Sequence, residues 1–300
     1  MKNELPYDLV RTLLAVVDEG TFDAAAAVLH VTPSAVSQRV KALEQRTGRV
    51  LLTRTRPVRA TDSGQVVVRY ARQLARLEGD ARAELGMDGG PATASPTRLA
   101  IAVNADSLST WFVPALASLA EDAHLYLDLR REDEAHTTEL LREGEVLAAV
   151  TSSPDPVAGC SVRRLGAMRY LPVATPAFAA RWRSGPPAHW VPRAPLVCFD
   201  RRDDLQDAFA RDLTGGQPAS PLRHYVPSSE GFAQAVTAGL GWGLVPEEQA
   251  LLGLHSGALA RLLPGHTLDV PLFWQQWRLD SPALFTVAAA IAEAAGRSLR

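Results

Sequence analysis

The chain has 300 residues, 47% of them apolar and 21% charged, an ordinary globular mix with room for two or three domains. A formal net charge of −2 and an isoelectric point near 6.4 do not, taken whole, mark a nucleic-acid protein. Cys160 and Cys198 are too few and too far apart for a disulfide framework or a zinc site, and neither a signal-peptide pattern nor a bilayer-length apolar run is visible, so the expected compartment is the cytoplasm.

The distribution of charge says more than its sum. Residues 30–59 carry Arg39, Lys41, Arg46, Arg49, Arg54, Arg56 and Arg59 against the single acid Glu44, a compact basic patch suited to phosphate. The same region reads as short helices and a wing. Leu9, Leu13, Val16 and Val17 recur at helical spacing until Gly20, and Thr21 then caps an alanine-rich second helix through Leu29. Thr32 caps a third helix with Pro33 at its first position, and Gly48 closes it. Two helices joined by the short turn 30–32 make a helix-turn-helix pattern.

In the third helix Val36, Val40 and Leu43 are spaced i, i+4, i+7 and face the core. That leaves Ser34, Ser37, Gln38 and Lys41 outward, with Arg39 flanking. Small residues let the start of the helix sit deep in a major groove, where hydroxyls and amides read base edges and the following cations meet phosphate. After Gly48, "RVLLTRTRPVRAT" reads as two short strands around a basic turn, whose Arg54, Arg56 and Arg59 reach the DNA backbone or minor groove. Thr21 and Pro33 complete the DNA-binding set on this 1–61 head. The competing reading is a small helical bundle that binds protein.

From 62 to 86 the pattern becomes one amphipathic helix. Val67, Tyr70, Leu74, Leu77 and Ala81 step by three and four, a short heptad seam suited to dimerisation, with packing against its own domain as the alternative. Residues 87–96 are a Gly-, Pro- and Ala-rich linker. Beyond it, 97–300 alternates. Strands are expected at 99–103, 125–129, 147–150, 170–174, 196–199, 225–226 and 242–245, with helices at 108–120, 137–142, 204–211 and 231–238. Such alternation predicts an α/β domain with parallel sheets, binding ligands past the carboxyl ends of its strands. Polar segments fall there: "NADSLST", "REDEAHT" and "TSSPD", then "DRRDD" and "PSSEG".

These segments together resemble the LysR-type transcriptional regulators over essentially the whole chain. The resemblance rests on "EGTFDAAAAVLHVTPSAVSQRVKALE", followed by Gly48, Leu51, Arg54, Thr61 and Gly64 at the family's intervals. "IAVNADSLSTWF", "GEVLAAVT", "LGAMRYLPVA", "SSEGF" and "GLGWGLVPE" look like its ArgP/LysG branch, regulators that sense basic amino acids and include actinobacterial activators of a lysine and arginine exporter. Leu52 departs from the phenylalanine of many relatives, and Pro33 from a common glutamine, which shifts base reading onto Ser34, Ser37 and Gln38. The resemblance implies a winged helix-turn-helix, a linker helix and a periplasmic-binding-protein-like α/β effector domain of two subdomains, crossed near 166–171 and 264–270. It also implies a homodimer, commonly a tetramer of two dimers, on promoter DNA, with RNA polymerase as a further partner and no membrane contact.

A cleft for a free amino acid needs anion contacts for the α-carboxylate and acceptors for the ammonium groups. The helix starts at 104–109 and 228–230 suit the carboxylate, through Asn104, Ser107, Ser109 and Ser229. Glu132, Asp133, Glu134 and Glu230 supply carboxylates for the distal cation of L-lysine or L-arginine, with Asp106, Thr151 and Asp204 completing the expected effector set. "EDEAH" also reads as a solvated loop feeding a helix start. No catalytic residue, metal ligand or cofactor is expected: HExxH, GxSxG and the Walker loop are absent, and "GLGWG" precedes a strand instead of joining strand to helix. The remaining alternatives are an organic-acid effector, or an architectural or replication-origin-binding protein.

Overall fold

The computed structural model describes residues 4–53, 55–87, 97–119, 125–132 and 134–300. Arg54, Asp133 and most of the expected linker 87–96 lie outside the described residues, and Glu134 is described by its backbone alone.

The head forms as its local signals require. Helix α1 (Tyr7–Glu19) ends at Gly20, whose φ of 70° is a left-handed cap. Thr21 Oγ1 accepts from Ala24 N to start α2 (Phe22–Val28), and Thr32 Oγ1 accepts from Ala35 N to start α3 (Pro33–Thr47). The wing is an antiparallel pair, β1 (Leu52–Thr53) with β2 (Arg59–Ala60). Val10, Leu13 and Val16 from α1 meet Ala25 and Ala26 from α2 and Val36, Val40 and Leu43 from α3 in one core, closed by Leu51, Leu52 and Val58. The alanines let α2 approach its neighbours closely.

Helix α4 (Asp62–Glu84) grows out of the wing. Thr61 Oγ1 accepts from Gly64 N and donates to the Val50 carbonyl, pinning the helix start to the strand. A Cβ on Gly64 would stand 1.9 Å from the Leu51 carbonyl oxygen, so only glycine fits there. Val67, Val68 and Ala71 join the head core, while Tyr70 and Leu77 of the expected seam stay exposed.

The remaining chain is α/β. Its large sheet is built from β3 (Thr97–Val103), β4 (Leu125–Arg131), β5 (Ala148–Thr151), β6 (Cys160–Ala174), β9 (Gly243–Pro246), β10 (Ala260–Arg261) and β11 (Leu268–Trp277). The seven strands run in the order β10–β6–β11–β5–β3–β4, with β9 also on β6. A small parallel pair, β7 (Leu196–Cys198) with β8 (Arg223–Tyr225), touches β9 through Leu196 and Trp242. Among the described residues the parallel neighbours in the large sheet are β3 with β4 and β3 with β5. The expectation of parallel sheets holds for those pairs and for β7 with β8, and is corrected at β6 and β11, which carry the chain out to the second subdomain and back, and so must run against each other over ten paired positions. Their register shifts at Leu272/Phe273, opposite Gly166 at φ 146°, within the segment expected to cross over.

Candidate functional site

On the head, Pro33, Ser34, Ser37, Gln38 and Lys41 are all exposed along one side of α3, opposite the buried Val36, Val40 and Leu43. Arg39 is half-buried, with Nη1 3.5 Å from Thr12 Oγ1. Arg56 and Arg59 are exposed on the wing. Thr21 is occupied as a helix cap. The surface thus offers hydroxyls and an amide on a protruding helix, flanked by cations, the arrangement that reads bases and grips phosphates.

Between the two subdomains lies a cavity of about 770 Å³. Among the described residues five carboxylates line it, those of Asp106, Glu132, Asp200, Asp203 and Asp204, with one guanidinium, that of Arg202. Phe199, Phe232, Leu244 and Pro246 give it apolar walls, and Thr138, Ser152 and Ser153 add hydroxyls. Asp106, just past β3, reaches across: Tyr170 Oη donates to its Oδ2 at 2.7 Å and Ser229 Oγ to its Oδ1 at 2.6 Å. Gln249 Nε2 in turn donates to Ser229 Oγ at 3.0 Å. Nearby Arg131 donates to the Pro227 carbonyl at 2.8 Å and lies over the Phe199 ring.

Burial pushes the Asp106 carboxyl above the usual carboxylate range, opposed by the hydrogen bonds from Ser229 and Tyr170 and reinforced by Glu230. Asp203 is raised by burial too, against backbone N–H donations from Phe199 and Leu205, and the charges of Asp106 and Asp200 push it further. Asp204 is exposed and paired with Arg211 at 3.0 Å. Asn104, which precedes the helical turn at 105–107, leaves its buried Oδ1 at the cavity wall with no donor among the described residues. Buried acceptors are rarely left so.

Of the expected effector set, Asn104, Asp106, Glu132 and Asp204 line the cavity, and Ser229 stands behind Asp106. Four others do not line it. Ser107 is turned into the core, and Thr151, the last residue of the wholly buried β5, is buried with it, so the cavity is lined by Ser152 and Ser153 just past the strand instead. Ser109 and Glu230 bond to each other away from the cavity, which holds the Glu230 carboxyl low. Tyr170, Asp200 and Asp203 join the site without having been expected there. The "DRRDD" segment carries a signal for the two aspartates; nothing local marks Tyr170.

Comparison with known proteins places these features. The family model for bacterial regulatory helix-turn-helix proteins of the lysR family matches residues 7–65, and that for the LysR substrate binding domain matches 93–296. The chain is 48% identical to the lysine export transcriptional regulatory protein LysG of Corynebacterium efficiens, over 96% of this chain and 97% of that one. It is similar to the crystal structure of ArgP from Mycobacterium tuberculosis, with TM-score 0.91, 45% identity and 99% coverage of each chain. Full-length LysG from Corynebacterium glutamicum, solved with arginine bound as effector, superposes with TM-score 0.85 at 42% identity, covering 99% of this chain and 100% of that one.

Proposed function

Because the chain belongs to the LysR family of bacterial helix-turn-helix transcription regulators, and is a regulator rather than an enzyme, we propose that its cavity takes L-arginine or L-lysine and that occupancy sets how the head engages promoter DNA. The observation that carries the reading is the acidic cavity: two of its carboxyls, Asp106 and Asp203, are held above their ordinary range and gain most from a cationic partner. The orphaned Asn104 Oδ1 supplies an acceptor for an ammonium or guanidinium N–H. Arg202 and the hydroxyls of Ser152 and Ser153 suit the α-carboxylate. The C. glutamicum relative with arginine bound supports the same ligand class.

On DNA, Ser34, Ser37 and Gln38 read base edges, while Arg39, Lys41, Arg54, Arg56 and Arg59 meet phosphate. The exposed Tyr70 and Leu77 on α4 serve a homodimer, the unit that binds a two-half-site operator, with pairs of dimers forming a tetramer. The target includes a gene for basic amino acid export, by analogy with the C. efficiens relative. Among the described residues no helix is long and apolar enough to cross a membrane.

An amino-acid panel in a thermal-shift assay tests the ligand, since whatever binds only the folded state raises its melting temperature. L-arginine and L-lysine should raise it and glutamate, benzoate and other acids should not. A shift with an organic acid and none with either basic amino acid overturns the reading.

A further inference from the structure

The helix Glu134–Glu143 has its two ends in different places. Glu132, just before it, and Thr138, in its second turn, line the cavity. Its other end lies about 15 Å away along ten residues of helix. There the Glu143 carbonyl accepts from Arg72 Nη1 at 2.6 Å and the Arg142 carbonyl from Arg69 Nη1 at 3.4 Å. Both arginines belong to α4. A helix C-terminus carries partial negative charge and unpaired carbonyls, so a guanidinium there is favoured on both counts.

Arg69 is further seated over the Trp277 ring, and Gly144, turning at φ 69°, packs against its Cα. Arg76 Nη1 adds a bond to the Arg98 carbonyl near the start of β3. These contacts dock the linker helix on the effector domain. Arg72 does more. Its Nη2 donates to Asp18 Oδ1 at 2.7 Å, and Asp18 sits in the last turn of α1, the helix that packs on both α2 and α3. One planar guanidinium therefore holds the DNA-reading head with one nitrogen and the effector helix with the other.

The structure assigns Arg72 the role of coupling joint: through it, displacement of the helix Glu134–Glu143 by an occupied cavity is passed to the head. The assignment rests on the cavity being the effector site. A ligand that binds two placements of that helix unequally shifts their populations, and a rigid helix with polar anchors at both ends transmits the shift. Arg72 is a positioning residue; it touches neither the cavity nor the outer face of α3.

The full-length protein tests this with Arg72→Met, which keeps the stem and removes the fork, and with Asp18→Asn. Calorimetry gives L-arginine affinity, and fluorescence anisotropy on a duplex footprinted by the wild type gives DNA affinity with and without L-arginine. Arginine affinity and ligand-free DNA affinity should stay within about twofold of wild type. The ratio of DNA affinities with and without arginine, of the order of 5–150-fold between ordinarily coupled sites, should fall to within about twofold of one in Arg72→Met. Arg72→Lys, which retains the cation at the helix end, should fall between. A wild-type ratio in Arg72→Met overturns the joint, as does loss of arginine binding in both variants, which makes the contact a matter of folding. If the wild type itself binds no arginine, the reading of the cavity fails first, and the joint with it.

Discussion

Replacing Asp106 by asparagine separates a ligand-binding carboxylate from a structural one, because the two roles give opposite signs. The side chain keeps its shape, and an amide accepts from Tyr170 with its oxygen while its NH2 meets the Ser229 hydroxyl, whose proton the Gln249 amide accepts once it turns its oxygen in place of its nitrogen. The substitution removes a carboxylate already raised by burial and facing other acids, so the ligand-free protein should melt at the same temperature or higher. With arginine the result reverses. Removing one member of a buried, hydrogen-bonded charge pair costs about 2–5 kcal/mol, a weakening of arginine binding by roughly 30-fold or more. Titration calorimetry and melting curves of wild type and Asp106→Asn, with and without L-arginine, read both quantities. An unchanged arginine affinity refutes the ligand role. A ligand-free loss above about 2 kcal/mol, some 4–8 °C for a unit of this size, assigns Asp106 to the fold.

Acid should weaken the effector. Asp106 and Asp203 titrate above the ordinary carboxylate range in the folded protein, so lowering the pH protonates them there and relieves the ligand-free state of a buried charge. Arginine affinity therefore falls as pH drops through their raised values, with protons released on binding across the same interval; calorimetry in buffers of different ionisation heat measures this, and a flat profile from the carboxylate range to neutrality counts against it. On DNA, Ser37→Ala or Gln38→Ala should narrow the gap between operator and random sequence by about 1–3 kcal/mol for each base edge no longer read. Arg56→Ala and Arg59→Ala should instead weaken all sequences alike and flatten the salt dependence, as competition anisotropy at several salt concentrations shows. Gly64→Ala drives a methyl onto the Leu51 carbonyl and should destabilise the junction of wing and α4 by about 1–3 kcal/mol, seen as earlier proteolysis of the head on heating.

The head is legible because its signals are local. Thr21 and Thr32 accept the N–H three residues on, Gly20 and Gly48 take the left-handed cap, and Val36, Val40 and Leu43 repeat on one face. Each is decided within a turn or two of chain. The crossover strands are only partly legible for the opposite reason. β6 runs from Cys160 to Ala174, yet the pattern marks only 170–174, since its first half pairs with β11 on one side only and shows exposed Ser161, Val162, Arg163 and Arg164 instead of an apolar run. Its alternation is also broken by the shift at Gly166. The C-terminal helix Pro282–Ser298 escapes the expected elements despite proline in its first turn. Its alanines fit a close-packed helix face, and only the buried Leu284, Val287 and Ile291 show which face that is.

The cavity shows the same division at finer grain. Polar segments after strands are readable because a strand must end where its ligand-facing loop begins, and Asn104, Asp106 and Glu132 follow from that rule alone. Which residue of a segment faces the ligand depends on where the buried strand ends, and one step of error turns Ser152 into Thr151. Tyr170 lies beyond any such rule. It stands within "LGAMRYLPVA", but that segment marks a strand and not a site, and its hydroxyl acquires a role only because β6 brings it to a carboxylate 64 positions earlier in the chain. The same holds for Arg72, whose partners are 54 and 71 positions away. Residues that select a ligand can be read near the strand ends that present them, whereas residues that join one part of the molecule to another are defined by contacts between distant segments. A mutational search for altered effector response that stays within the cavity would therefore miss Arg72, and one that spans α4 and the end of the helix Glu134–Glu143 should recover it.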